Sequence, residues 1–302
     1  MKIIQSYWTK PVLNGIMESE SGRYSGGWLY EKTHSLSWIF SCLQLKKYYD
    51  KVELVTDKLG KEILIDQLKL PYTKVHVILD DLNEYHPDLW ALGKIYSYSI
   101  QDEPFIHVDN DVYVWGAFSE KLHNARLVTQ HFEKGYPFYE NLYKNLKTNN
   151  VVFPEVILEN RKVEEKIHAY NAGIIGGNDI AFFKNYSKEA FKFVDNNVDK
   201  LSNIDIGRFN TIFEQYLFYC LTQSQNIDVA CYSDIVGEQK LDIFFQNLTR
   251  FKEAPKDAKF IHLYGEYCKK HKEFCDELEN KVKTHYPEYY ENVIPSKIKV
   301  TE

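Results

Sequence analysis

The chain has 302 residues, with 37 Lys and Arg against 43 Asp and Glu, a formal charge of −6. Hydrophobic residues at 44% and aromatic residues at 15% are enough for a buried core and exclude a disordered polar chain. The acidic balance excludes the basic stripe of a general nucleic-acid binder, and no apolar run approaches the length of a membrane-spanning helix.

In chain order, residues 2–8 predict a strand, too short and too polar to be a signal peptide. A Gly/Ser loop follows, with Gly22, Gly26 and Gly27 set among Tyr24, Trp28 and Tyr30. Residues 31–48 predict a helix, 52–56 a strand, 59–70 a helix and 74–79 a strand. Residues 88–99 predict a helix capped by Asp88 just after Pro87, and 104–108 a buried strand. Strands alternating with helices at this spacing indicate β-α-β units and a mostly parallel sheet. Further on, 126–130 reads as a strand, 137–146 as a helix and 151–158 as β-rich. Residues 171–177 read as a short Gly-rich strand and 179–196 as a helix capped by Asp179. Residues 209–222 are apolar nearly all round and predict a buried helix. Residues 227–231 and 259–263 predict strands, and 266–283 a charged, solvent-facing helix. With no linker or repeat, 1–302 reads as one compound domain: a first half to about residue 115, a second half over about 116–285, and a tail at 286–302. The five cysteines are odd in number and lack C-x-x-C spacing, which reads as reduced thiols in a cytoplasm.

Four constellations could carry chemistry. Pro104-Phe105-Ile106-His107-Val108-Asp109-Asn110-Asp111 ends an apolar strand with two carboxylates two residues apart. Carboxylate oxygens converging at a strand end suit Mg²⁺ or Mn²⁺, and ligands of open α/β sheets bind beyond the carboxyl ends of the strands. The plain alternative is an acidic turn. Tyr170-Asn171-Ala172-Gly173 opens a Gly-rich strand that a ligand could approach closely, or that merely packs tightly. Phe260-Ile261-His262-Leu263-Tyr264-Gly265 ends in a His that is either a third metal ligand or a core histidine. The lysines Lys269 and Lys270 that follow are either phosphate-binding or a solvated helix face. Glu214, in Glu214-Gln215, shares a helix face with Phe218 and Leu221; it either lines a cleft or pairs with a base such as Arg208.

Together these residues resemble the nucleotide-sugar glycosyltransferases of the GT-A fold, nearest to the glycogenin-like and capsular-polysaccharide-type retaining families. Those families run D-x-D after an apolar strand, then N-A-G, then a D-Q-type pair on a helix, then H-x-x-G with a nearby lysine. Here the order is Asp109/Asp111, Asn171-Ala172-Gly173, Glu214-Gln215 and His262-Leu263-Tyr264-Gly265 with Lys269, spanning residues 2–270. The resemblance implies an α/β fold with a Rossmann-like mixed, mostly parallel sheet flanked by helices, its first half binding nucleotide and its second shaping the acceptor site. It implies a divalent ion, usually Mn²⁺ and otherwise Mg²⁺, on Asp109, Asp111 and His262. Asn171 and Glu214 would face the donor sugar, and Lys269 would neutralise the leaving diphosphate. Tyr7 and Trp8 would lie by the base and ribose, and Lys94, Asn110, Gly173 and Gly265 would complete the donor site. The implied activity moves a sugar from a nucleotide diphosphate sugar to a glycan or other hydroxyl acceptor, as in surface polysaccharide synthesis. The sequence departs from the pattern in having Glu-Gln for Asp-Gln, Lys269 four rather than three positions after Gly265, and no K-P-W ending. These departures keep two alternatives open: a nucleotide-sugar-binding pseudoenzyme, and a metal-dependent phosphohydrolase or nucleotidyltransferase using the same aspartates.

Overall fold

A computed structural model describes residues 1–14, 24–233, 243–256 and 258–293; Gly22 and the end of the 286–302 tail lie outside them. The strands are β1 (Lys2–Tyr7), β2 (Val52–Thr56), β3 (Lys74–Val77), β4 (Phe105–Val108), β5 (Val112–Val114), β6 (Leu127–Lys134), β7 (His168–Gly177), β8 (Val229–Cys231) and β9 (Phe260–His262). Seven of them form one sheet in the order β3-β2-β1-β4-β7-β6-β8. β7 alone runs against both its neighbours, β4 and β6; the other pairings are parallel. The chain is thus α/β with a mixed, mostly parallel sheet flanked by helices, as the sequence predicts.

Burial on both faces explains why β2 and β4 read as nearly unbroken apolar runs. Side chains alternate across a sheet, so the consecutive Leu54 and Val55 enter different cores. On the Val55 side pack the helices Ala91–Ser99 and Ile180–Asp195 and the helical stretch 206–224. On the Leu54 side pack the helices Glu31–Lys46 and Lys272–His285. A separate two-stranded sheet joins β5 to β9 antiparallel, with Val112 opposite His262. This small sheet carries the C-terminal segment back to the end of β4. Among the described residues no helix is long and apolar enough to cross a membrane, and all five cysteines are free thiols.

Several boundaries differ from expectation. Residues 151–158 are not a strand: Pro154 opens the helix Glu155–Val163, a proline start that outweighs the local β-branched run. The predicted 59–70 helix is one α turn, Lys58–Lys61, followed by a π-helical turn, Glu62–Gln67. Asp88 does not cap its helix, which starts at Ala91; Asp88 is instead buried, and its carbonyl accepts from Asn210 Nδ2 at 2.7 Å. The predicted solvent-facing helix at 266–283 is two helices, Gly265–Lys269 and Lys272–His285. The second buries Phe274, Cys275, Leu278 and Val282, a stripe at helical spacing that the surrounding charges conceal in the sequence. Asp179 does cap its helix, accepting from Phe182 N at 2.9 Å.

Candidate active site

The turn from β4 to β5 holds Asp109, Asn110 and Asp111. Two serines one helical turn apart on Glu31–Lys46 fasten it from below. Ser37 Oγ donates to the Asn110 carbonyl at 2.8 Å, and Ser41 Oγ donates to the Val112 carbonyl at 2.8 Å. The pairing of β5 with β9 then fixes His262 against the turn, and Leu263 N donates to the Asp111 carbonyl at 3.0 Å. His262 Nε2 lies 3.3 Å from Asp111 Oδ1. Asp109, Asp111 and His262 each offer one ligand atom, and these atoms lie within 4.8 Å of one another.

Two ammonium groups flank the aspartates. Lys94 Nζ is 3.0 Å from Asp109 Oδ1 and 2.6 Å from Glu214 Oε1, and it donates to the Ala172 carbonyl at 3.1 Å. Lys269 Nζ is 2.6 Å from Asp111 Oδ2 and donates to the Gly26 carbonyl at 3.2 Å. Burial pushes the Asp109 carboxyl above its ordinary pKa; Lys94 opposes the rise and Asp111 adds to it. For Asp111 burial acts the same way, but Lys269 and His262 outweigh it and hold the group well below the ordinary carboxylate range. His34, close by, is held neutral: burial and then the charge of Lys269 take its pKa down to about 3. Trp38 Nε1 donates to His34 Nε2 at 3.1 Å, a bond that requires that nitrogen to be unprotonated.

A cleft of about 110 Å³ opens over these groups, lined by Tyr7, Trp8, Lys94, Asp109, Asp111 and Lys269 among others. Trp8 Nε1 and Asn110 Nδ2 are buried donors on its wall with no acceptor among the described residues. The donor set suits a divalent cation of borderline hardness, two carboxylates and an imidazole. His262 also shows the outer bond expected of a metal-ligating histidine: its Nδ1 lies 2.7 Å from Gln130 Oε1. Three carboxylates, Asp109, Asp111 and Glu214, face the two ammonium groups, so the charges present leave room for a further cation. The residues therefore fit a metal ion. A larger groove of about 620 Å³ lies elsewhere, against Phe153, Glu155, Phe193 and Leu221, but no cluster of ligating groups lies there among the described residues.

The structure thus brings Asp109, Asp111, His262, Lys94, Glu214 and Lys269 into contact and sets Tyr7, Trp8 and Asn110 on the same cleft. Glu214 pairs with Lys94; Arg208 pairs instead with Asp205. Asn171 sits beside the cluster rather than on the cleft wall, with Gly173 N donating to its Oδ1 at 3.0 Å. A Cβ on Gly173 would lie 2.2 Å from Gln130 Oε1 and 2.4 Å from His262 Nδ1, so glycine here is what lets His262 approach. Gly265 is exposed at a φ of +65°, and a Cβ there would meet nothing within 4 Å. Sequence reasoning missed Gln130, Glu133, Ser37 and Ser41. The two serines, i and i+4 within the otherwise apolar stretch 36–43, are a signal that could have found Ser37 and Ser41. Gln130 and Glu133 had none, because a bulge between Thr129 and His131 resets which β6 side chains face the site.

Residues 1–296 match the family described as "Family of unknown function (DUF6734)", and the chain belongs to that family. No curated protein matches the chain significantly. Solved structures to which it is similar include the LgtC active-site mutant Q189E, at 10% identity and a TM-score of 0.39 over 70% of each chain. Also similar is the glycosyltransferase GlyE of Streptococcus pneumoniae TIGR4, at 7% identity and a TM-score of 0.39 over 88% of this chain and 55% of that one. The bifunctional glycosyltransferase WbbM is matched at 13% identity and a TM-score of 0.46 over 97% of this chain and 51% of that one.

Proposed function

We propose that this member of the DUF6734 family is a metal-dependent glycosyltransferase that moves a sugar from a nucleotide diphosphate sugar, preferably a UDP-sugar, to a hydroxyl of a glycan or other acceptor. Surface polysaccharide synthesis is the setting we infer. The observation that carries this reading is the convergence of Asp109, Asp111 and His262 with Lys94, Lys269 and Glu214 at one strand end. In this reading residues 1–302 form one compound domain: the part to about 115 binds nucleotide, about 116–285 shapes the acceptor site, and 286–302 is a tail.

Departure of a diphosphate builds negative charge on the leaving group. Asp109, Asp111 and His262 would hold a divalent ion, with Mn²⁺ preferred because imidazole joins the donor set, and such an ion would supply Lewis acidity for that departure. Lys269, 2.6 Å from Asp111, adds a positive charge beside it. Trp8 Nε1 and Asn110 Nδ2 offer their free N–H groups to acceptor atoms of the nucleotide, and Tyr7 gives the base an aromatic wall. Glu214 opposes the positive charge that grows at the anomeric carbon, as a carboxylate does in sugar transfer generally, and Lys94 fixes it relative to Asp109. Asn171 orients the donor sugar. Gly173 admits His262, and Gly265 supplies the turn that leads from His262 to Lys269.

A thermal-shift panel of nucleotide sugars with and without Mn²⁺ tests the reading, because a ligand of the native state raises apparent stability. The expected result is stabilisation by a nucleoside diphosphate sugar only with the metal, abolished by Asp111→Ala. Metal-independent donor binding that survives combined Asp109→Ala and Asp111→Ala would overturn the metal assignment. Release of sugar 1-phosphate instead of nucleoside diphosphate would identify a phosphohydrolase.

A further inference from the structure

Glu133 is a buried carboxylate near the end of β6, 7% exposed. Among the described residues no Lys or Arg pairs with it; the imidazole of His131 lies beside it, with Nε2 3.4 Å from Glu133 Oε1. A buried carboxylate is costly unless donors surround it, and here the donors come from two different elements, one adjacent in the chain and one distant. Asn171 Nδ2 on β7 donates to Glu133 Oε1 at 3.2 Å, and the Tyr139 hydroxyl donates to Oε2 at 2.5 Å. Gln215 Oε1 also lies 2.5 Å from that hydroxyl, but the single phenolic proton serves Glu133, so this second contact is not a donated bond.

The consequence for Asn171 is specific. A carboxylate only accepts, so it fixes which end of the amide is nitrogen. Gly173 N, donating to Oδ1 at 3.0 Å, fixes the other end. The amide is therefore pinned in one orientation. Gln215 reaches Tyr139 although its neighbour Glu214 reaches Lys94. Both sit in the π-helical turn Ile212–Tyr216, and such a widened turn lets consecutive side chains serve one site. Burial, and then the charge of Glu133, raise the Tyr139 pKa well above its ordinary value, which keeps the hydroxyl protonated as a donor.

We propose that Glu133, itself held by Tyr139, is a positioning residue that sets the orientation in which the Asn171 amide meets the donor sugar. The proposal rests on the reading of Asn171 as a donor-sugar contact. Its test uses the full chain and the side-chain amide signals of Asn171, assigned by comparison with the Asn171→Asp spectrum. In ligand-free protein, Glu133→Gln should speed hydrogen exchange of the Asn171 amide at least tenfold, while affinity for UDP with Mn²⁺ stays within twofold. A purely structural role would lower Tm and leave that amide unmoved. Unchanged Asn171 exchange overturns the proposal, and so does a tenfold loss of UDP–Mn²⁺ affinity. If Glu133→Gln does not fold, Tyr139→Phe decides, because it frees the Glu133 carboxylate: faster exchange at the Asn171 amide supports the positioning role, and unchanged exchange overturns it. If the native protein fails to bind UDP with Mn²⁺, the glycosyltransferase reading fails, while the exchange measurement still judges Glu133 on its own.

Discussion

Gly173 shows how one hydrogen atom can set the chemistry of a site. The position lies in β7 outside the left-handed region of backbone space, so alanine can adopt its conformation. What alanine cannot do is share space with His262 and Gln130, which would lie 2.4 and 2.2 Å from the new Cβ. Either His262 retreats from Asp111 or Gln130 loses its hold on the imidazole. Loss of an outer-shell partner typically costs about 10–100-fold in metal affinity. Gly173→Ala should therefore weaken Mn²⁺ binding by at least about tenfold, read by calorimetry, while circular dichroism shows the fold kept. Unchanged affinity would remove His262 from the ligand set. Asp109, Asp111 and Glu214 were legible in the sequence because a carboxylate among apolar residues is conspicuous. Glu133 has no such contrast: it lies in His131-Phe132-Glu133-Lys134, where charge looks ordinary, and only the bulge before it makes it face Asn171.

At the scale of elements, the helices Glu31–Lys46 and Lys272–His285 bury their apolar stripes together and are joined at the rim by Glu279. Its Oε1 accepts from Lys32 Nζ at 2.9 Å and from Tyr290 OH at 2.7 Å, and Lys283 Nζ lies 2.7 Å away. Partial burial works against the charged form, but the bonds from Lys283, Tyr290 and Lys32 prevail and take the carboxyl down from 4.5 to about 2. A folded-state pKa below the unfolded value gives stability that is present above about pH 4.5 and is lost as the pH falls toward 2. The group is partly exposed, so solvent screening limits its worth to on the order of 1 kcal/mol. Glu279→Gln should cost about that much at pH 7, and the gap from the native chain should narrow in denaturation curves below pH 4.5. A gap independent of pH would show that the pair contributes through packing alone. These helices also mark where sequence reading falters. The second is half charged, so composition said solvent, whereas every third or fourth residue said core. In 151–158 the error ran the other way: β-branched residues suggested a strand, and the start set by Pro154 decided for a helix.

Across the whole molecule, the candidate site is assembled from segments distant in sequence. Asp109 and Asp111 come from the end of β4, Lys94 from the helix before it, Glu214 from the buried helical stretch 206–224, and His262 and Lys269 from the C-terminal segment. The alternation of strands and helices made the parallel half of the sheet readable, with strand ends within a residue or two. The reversal of β7 and the small β5–β9 sheet were not, because pairing between distant segments leaves little trace in local pattern. Yet that small sheet is what delivers His262 and Lys269 to the aspartates. Lys269 is also bound to the loop before Glu31–Lys46, through Gly26 and Leu29. A ligand bridging Asp109, Asp111 and Lys269 would therefore tie the middle and last thirds of the chain together, and local opening of 258–269 would have to break it. UDP with Mn²⁺ at saturating concentration should accordingly slow backbone hydrogen exchange across Phe260–His262 and at Lys269. Strand β3, at the far edge of the sheet, should exchange as before. Asp111→Asn should cancel the protection. Uniform slowing over the whole chain would point to global stabilisation, and slowing confined to 91–99 would place the ligand on Lys94 without the C-terminal segment.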